Sequence, residues 1–164
     1  MSIGLAIFTL FHVVISLLGI GSGVVVVVDM LKRRRRPGST GVFLVTTVLT
    51  SVTGFLFPFH RLLPSHVLGV LSLIALAIAV YALYVRRLAG GWQRAYTVSA
   101  VIALYLNVFV LVAQLFAKVP ALKALAPTQS EAPFKLAQLA VLLLFVAVGA
   151  LATKRAGGQP LLTA

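Results

Sequence analysis

The sequence predicts an all-α integral membrane protein, a bundle of five transmembrane helices joined by short loops. Three observations lead there. Hydrophobic residues form 61% of the 164-residue chain and charged residues 10%, whereas soluble domains carry about 45–50% and about 25%. Mean hydropathy is +1.12. A compact domain of this size still shows roughly a third of its unfolded surface, so that surface would be apolar, which suits lipid. Finally, 14 Lys+Arg face only 2 Asp+Glu, and nearly all of them lie in the gaps between apolar runs, the pattern of the positive-inside rule.

Each run has a recognisable stop. Residues 4–28 carry no charge and end at Asp29 and the basic string Lys32 to Arg36, followed by Pro37-Gly38. This run lacks a basic leader and a small-residue cleavage site, so it reads as a retained helix, not a cleaved signal. Residues 40–60 stop at Arg61 and Pro64, a tight turn that makes the second and third helices antiparallel neighbours. Residues 65–85 stop at Arg86-Arg87 and Gly90-Gly91, residues 95–117 at Lys118 and Pro120, and residues 136–153 at Lys154-Arg155. Crossing ~30 Å of hydrocarbon takes ~20 apolar residues at ~1.5 Å rise. Backbone groups in lipid must be satisfied within each segment, so these are helices. Barrel strands would be about ten residues long and alternate in polarity. The result is a single transmembrane domain over residues 1–155 with a flexible tail at 156–164. The segment 118–135, with Pro120, Pro127 and Pro133, is either a short surface-lying helix or a proline-stiffened connector.

Charge sets the predicted orientation, N-terminus out and C-terminus in. Lys32, Arg33 to Arg36, Arg86, Arg87, Arg94, Lys154 and Arg155 then lie inside, ten in all, against Arg61, Lys118, Lys123 and Lys135 outside. The reverse would translocate the five-residue basic run. Trp92 and Tyr96 fall at the inner interface. The basic excess does not indicate nucleic acid, since no aromatic residues interleave with it.

Side chains three, four or seven apart share a helix face. His12, Ser16, Gly19 and Gly23 form one stripe, and Gly19-xxx-Gly23 is a small-residue pair of the kind that lets membrane helices approach closely. Thr46, Thr50, Thr53 and His60 line the second helix, and Ser65, Gly69, Ser72 and Ala79 the third. Tyr96, Ala100, Ala103, Asn107 and Gln114 line the fourth, and Gln138 and Gly149 the fifth. Packing explains the hydroxyls and glycines. His12 is different, because an ionisable group about 12 Å inside a span is a functional candidate by default. A neutral imidazole can hydrogen-bond a quinone, ligate haem b iron or relay a proton. Depth arguments gather His12, Thr53, His66, Asn107, Gln114 and Gln138 into an expected outward-half polar pocket, roofed by residues 128–131 and suited to a small lipophilic or neutral ligand.

Other chemistry has little material. Cysteine is absent, and the two carboxylates, Asp29 and Glu131, fall on opposite sides of the membrane. No acid/base pair is therefore expected within the bundle, nor does a nucleophile triad, P-loop or dinucleotide fingerprint occur. No catalytic residue and no metal site is expected. Arg33, Arg34, Arg35 and Arg36 are candidates for anionic lipid head groups, each worth ~1 kcal/mol near a charged surface, or else determine topology alone.

The stretches Thr53-Gly54-Phe55-Leu56-Phe57-Pro58 with Ser65-His66-Val67-Leu68-Gly69, and Asn107-Val108-Phe109-Val110 through Ala126-Pro127-Thr128-Gln129-Ser130-Glu131, resemble small multi-pass bacterial membrane proteins that have no assigned activity. The resemblance implies a bacterial inner-membrane setting and brings no site residues. Three functional classes compete: a non-catalytic protein acting through partner or lipid contacts, a binding or transport module for a small lipophilic solute, and a haem- or quinone-holding redox subunit using His12 and His66.

Overall fold

A computed structural model describes residues 3–57, 64–156 and 162–163. It is built almost entirely of helices. α1 spans Ile3–Leu31, α2 Pro37–Gly54, α3 Pro64–Val80, α4 Trp92–Lys118, α5 Pro120–Leu125 and α6 Ala132–Ala156. Tyr81–Val85 continues α3 as a π-helical turn, in which the Arg86 amide reaches back to the Tyr81 carbonyl. A two-residue strand, Arg34–Arg35, pairs in parallel with Leu162–Thr163.

The boundaries have local causes. α1 stops where Arg33 takes a left-handed φ of 56° and donates its amide to the Met30 carbonyl. Prolines sit in the first turns of α2, α5 and α6, where a missing N–H costs nothing, so α6 starts at Ala132, ahead of the apolar run. The long loop contains a helix, α5, although a short one. α2 is the largest departure from the expected 40–60 span, ending at Gly54 with a turn over Phe55 to Phe57. The predicted hairpin with His60 and Arg61 lies outside the described residues, as does most of the tail.

Among the described residues, four helices are long and apolar enough to cross a membrane: Ile3–Leu31, His66–Val85, Trp92–Lys118 and Ala132–Ala156. α2 is not among them, because Thr46, Thr47, Thr50, Ser51 and Thr53 dilute the hydropathy of its 18 residues. It is still half of the most extensive helix pairing, that of α1 with α2. α4 is the hub, packing on α1, α3 and α6.

The core lies toward the end where α1 finishes and α4 starts. Val26, Met30, Phe43, Leu76, Tyr96 and Leu104 pack there, with Ala79, Ala82, Ala100 and Ala103 fully buried between helices. Tyr96 is fully buried in this core. Trp92 is half-buried, with Tyr81 5.1 Å from its ring and the Arg86 guanidinium 5.3 Å above it.

Candidate functional site

Long, uninterrupted helices hold the candidate polar residues, so their neighbours follow from which faces meet. His12 of α1 faces α2, and its Nδ1 lies 2.7 Å from Thr53 Oγ1. The Thr53 hydroxyl hydrogen is directed at the Leu49 carbonyl, 2.7 Å away, as is usual for helical threonines. The imidazole Nδ1–H therefore donates to Thr53, which leaves the lone pair on Nε2. The Phe57 ring meets the imidazole edge-on at 5.0 Å, and Phe8 lies 4.9 Å from Phe57.

The remaining candidates have other surroundings. Asn107 of α4 donates from Nδ2 to Thr47 Oγ1 at 3.4 Å, beside Gly19. Gln138 of α6 is buried and donates to the Phe109 carbonyl at 3.1 Å, while its Oε1 has no partner among the described residues. His66 of α3 is buried with its ring 5.6 Å from that of Phe55. Gln114 is exposed. The structure thus joins His12 to Thr53 and distributes Asn107, Gln138 and His66 among three other helix contacts.

The expected roof is a self-contained turn. The Glu131 carboxylate accepts hydrogen bonds from the Thr128 amide at 3.2 Å, the Thr128 hydroxyl at 2.8 Å and the Ser130 amide at 3.0 Å. Slight desolvation acts to raise the Glu131 carboxyl, but the bonds from the Thr128 hydroxyl and the turn's amides outweigh it and hold the group below its usual range. Gln129 has a left-handed φ of 60° and donates to the Ala113 carbonyl at 2.8 Å, tying the turn to α4.

Several contacts were invisible to stripe reasoning. Ser51 donates to Ser72 at 3.0 Å, a buried link between α2 and α3; four residues after Thr47, it shares that residue's face. Asp29 is 4% exposed, and Arg36 Nε lies 3.4 Å from its Oδ2. Arg155 donates to the Leu31 carbonyl, fastening α6 to the end of α1. The basic string consequently divides: Arg36 serves Asp29, Arg33 and Arg35 are half-buried, and Arg34 and Lys32 are exposed. Among the described residues no three His, Asp or Glu side chains gather to hold a metal ion.

No family model, curated protein or solved structure matches the chain. The functional reading rests on the residues alone.

Proposed function

We propose that this chain is a five-span protein of the bacterial inner membrane, N-terminus out and C-terminus in, that works without catalysis through contacts with lipid and with partner proteins. One observation carries this reading. The polar side chains within the bundle tie helices to one another, as in His12–Thr53, Asn107–Thr47, Ser51–Ser72 and Gln138 with the Phe109 carbonyl, while large aliphatic side chains stand exposed along the helices. Such an exterior matches hydrocarbon, and hydrogen bonds of this kind hold membrane helices together.

The fifth span is α2. Its 18 residues extend about 27 Å at ~1.5 Å each, close to the ~30 Å required, and the turn at Phe55 to Phe57 adds length. The orientation is supported by the ten Lys and Arg residues of the segments expected inside, against four outside. Within the basic string, Lys32 and Arg34 are exposed and available to anionic head groups. The reading is tested by reporter fusions in the 126–131 turn and after Ala156, with thermal melting in anionic and neutral vesicles. Expected are a periplasmic turn, a cytoplasmic end, and stabilisation by anionic lipid that shrinks in the Lys32→Gln/Arg34→Gln variant. A periplasmic C-terminal reporter overturns the topology, and equal melting in both lipids overturns the head-group contact.

A second reading, a small neutral or lipophilic ligand in the outer half, is favoured by two buried polar atoms without partners among the described residues, Thr50 Oγ1 and Gln138 Oε1, and by the Nε2 lone pair of His12.

A further inference from the structure

α3 and α6 both pack extensively on α4 but make no comparable contact with each other. A groove of about 990 Å³ runs between them, at the upper end of the ~300–1,000 Å³ usual for ligand sites. α4 supplies its floor through Val98 and Ile102, and the walls include Ile78 of α3 and Val146 of α6. Two hydroxyls on the lining are already used: Ser99 donates to the Ala95 carbonyl and Thr153 to the Gly149 carbonyl, each at 2.7 Å. The groove presents a largely apolar interior, with the Tyr105 ring as a further polar-tipped member of its lining.

One end is different, because Arg94 from the start of α4 and Lys154 from the end of α6 both line it, and both are exposed. The chain offers them no side-chain carboxylate. Asp29 is buried beside Arg36, and Glu131 lies at the opposite end of α6, about 34 Å away at ~1.5 Å per residue. No Asp or Glu side chain therefore neutralises this pair. Length supplies the second constraint. On α4 the lining runs from Arg94 to Leu106, about 18 Å of helix, close to the ~15 Å depth of one leaflet. An apolar slot one leaflet deep with two cations at its rim matches a molecule with a hydrocarbon tail and an anionic head.

We propose that this groove binds one anionic phospholipid of the adjoining leaflet, with its phosphate between Arg94 and Lys154 and an acyl chain lying on α4. The proposal rests on the membrane-spanning reading above and is distinct from the Lys32/Arg34 rim. It is tested with the full chain, first by flotation with liposomes and then by native mass spectrometry during titration with phosphatidylglycerol or phosphatidylcholine. The expected result is one retained phosphatidylglycerol per chain, bound in preference to phosphatidylcholine. Arg94→Gln/Lys154→Gln should weaken phosphatidylglycerol roughly thirty-fold, from ~1 kcal/mol per basic residue, and leave phosphatidylcholine unchanged. Ala150→Trp, which fills the groove, should weaken both lipids, and Lys32→Gln/Arg34→Gln should leave the groove site intact. If Ala150→Trp fails to fold, the exposed Arg94/Lys154 pair still decides the matter. Equal retention of the two lipids, or unchanged binding after Arg94→Gln/Lys154→Gln, overturns the proposal. So does a dimer that Ala150→Trp converts to monomer, which would make the groove an interface between copies of the chain. A chain that does not float refutes the spanning reading instead.

Discussion

The two ends of the bundle are held together by different means. At the end where α1 finishes and α4 starts, alanines and glycines bring backbones close enough for Phe43, Leu76, Tyr96 and Leu104 to interlock, each at most 1% exposed. At the other end α1 has no buried residue before Ile15, and Ile7 and Leu10 are 64% and 65% exposed. Contact there depends on single polar or aromatic pairs such as His12–Thr53 and Phe8–Phe57. Many weak dispersion contacts add up in a close-packed region, whereas a lone hydrogen bond between membrane helices averages ~0.6 kcal/mol. Cohesion should therefore be concentrated at the end bearing Asp29 and Tyr96, with adaptability at the end bearing His12.

The sharpest way to break this contrast is at Gly23. A Cβ there would lie 2.6 Å from Leu104 Cδ1 and 2.9 Å from the Phe43 ring, and both neighbours are locked in the core. Gly23→Leu should cost about 3 kcal/mol or more, seen as a large drop in detergent melting temperature. At Gly19 the same atom meets the Thr46 and Thr47 hydroxyls at 3.2 Å and the Asn107 amide nitrogen at 3.6 Å. Gly19→Ala should cost about 1 kcal/mol, a small overpacking penalty, and equal losses for the two glycines would erase the distinction between the ends.

Smaller effects probe the polar stitches. Thr53→Val removes the His12 partner and should cost about 0.6–1 kcal/mol, together with a change in the imidazole NMR shifts. Gln138→Leu loses one bond to the Phe109 carbonyl but also removes the unpartnered Oε1, so melting should change by less than about 0.5 kcal/mol. A large loss would point to a bound molecule at Oε1. The smallest effect belongs to the 128–131 turn. Because the Glu131 carboxyl is held below its usual range, its contribution is complete above the ordinary carboxylate pKa and disappears as pH falls through the lowered value. Amide exchange in the turn should accelerate on acidification, and Glu131→Gln should remove that dependence without altering the rest of the bundle.

How far the site was legible depended on the residue. Asn107 and Gln114 are seven apart on one α4 face, and the stripe treats them alike. Only Asn107 has Thr47 across from it; Gln114 lies farther along α4 and is exposed. Ser51 went unnoticed because its partner, Ser72, belongs to another helix, and pairing across helices has no sequence period. Asp29 lies three residues before Lys32 in the chain, but the turn into α2 brings Arg36 to it instead.

Legible in the residues alone were the helical class, the placement of the long apolar helices, the scarcity of carboxylates and the segregation of basic residues into the gaps. These properties are local, since hydropathy, helical period and proline or charge stops act within a few residues of chain. Helix packing, by contrast, makes α4 the hub, brings His12 to Thr53, and leaves α3 and α6 apart with Arg94 and Lys154 at the rim between them. Those outcomes depend on which helix faces meet and at what depth. Side-chain volumes across several helices settle that together, and no single segment encodes it.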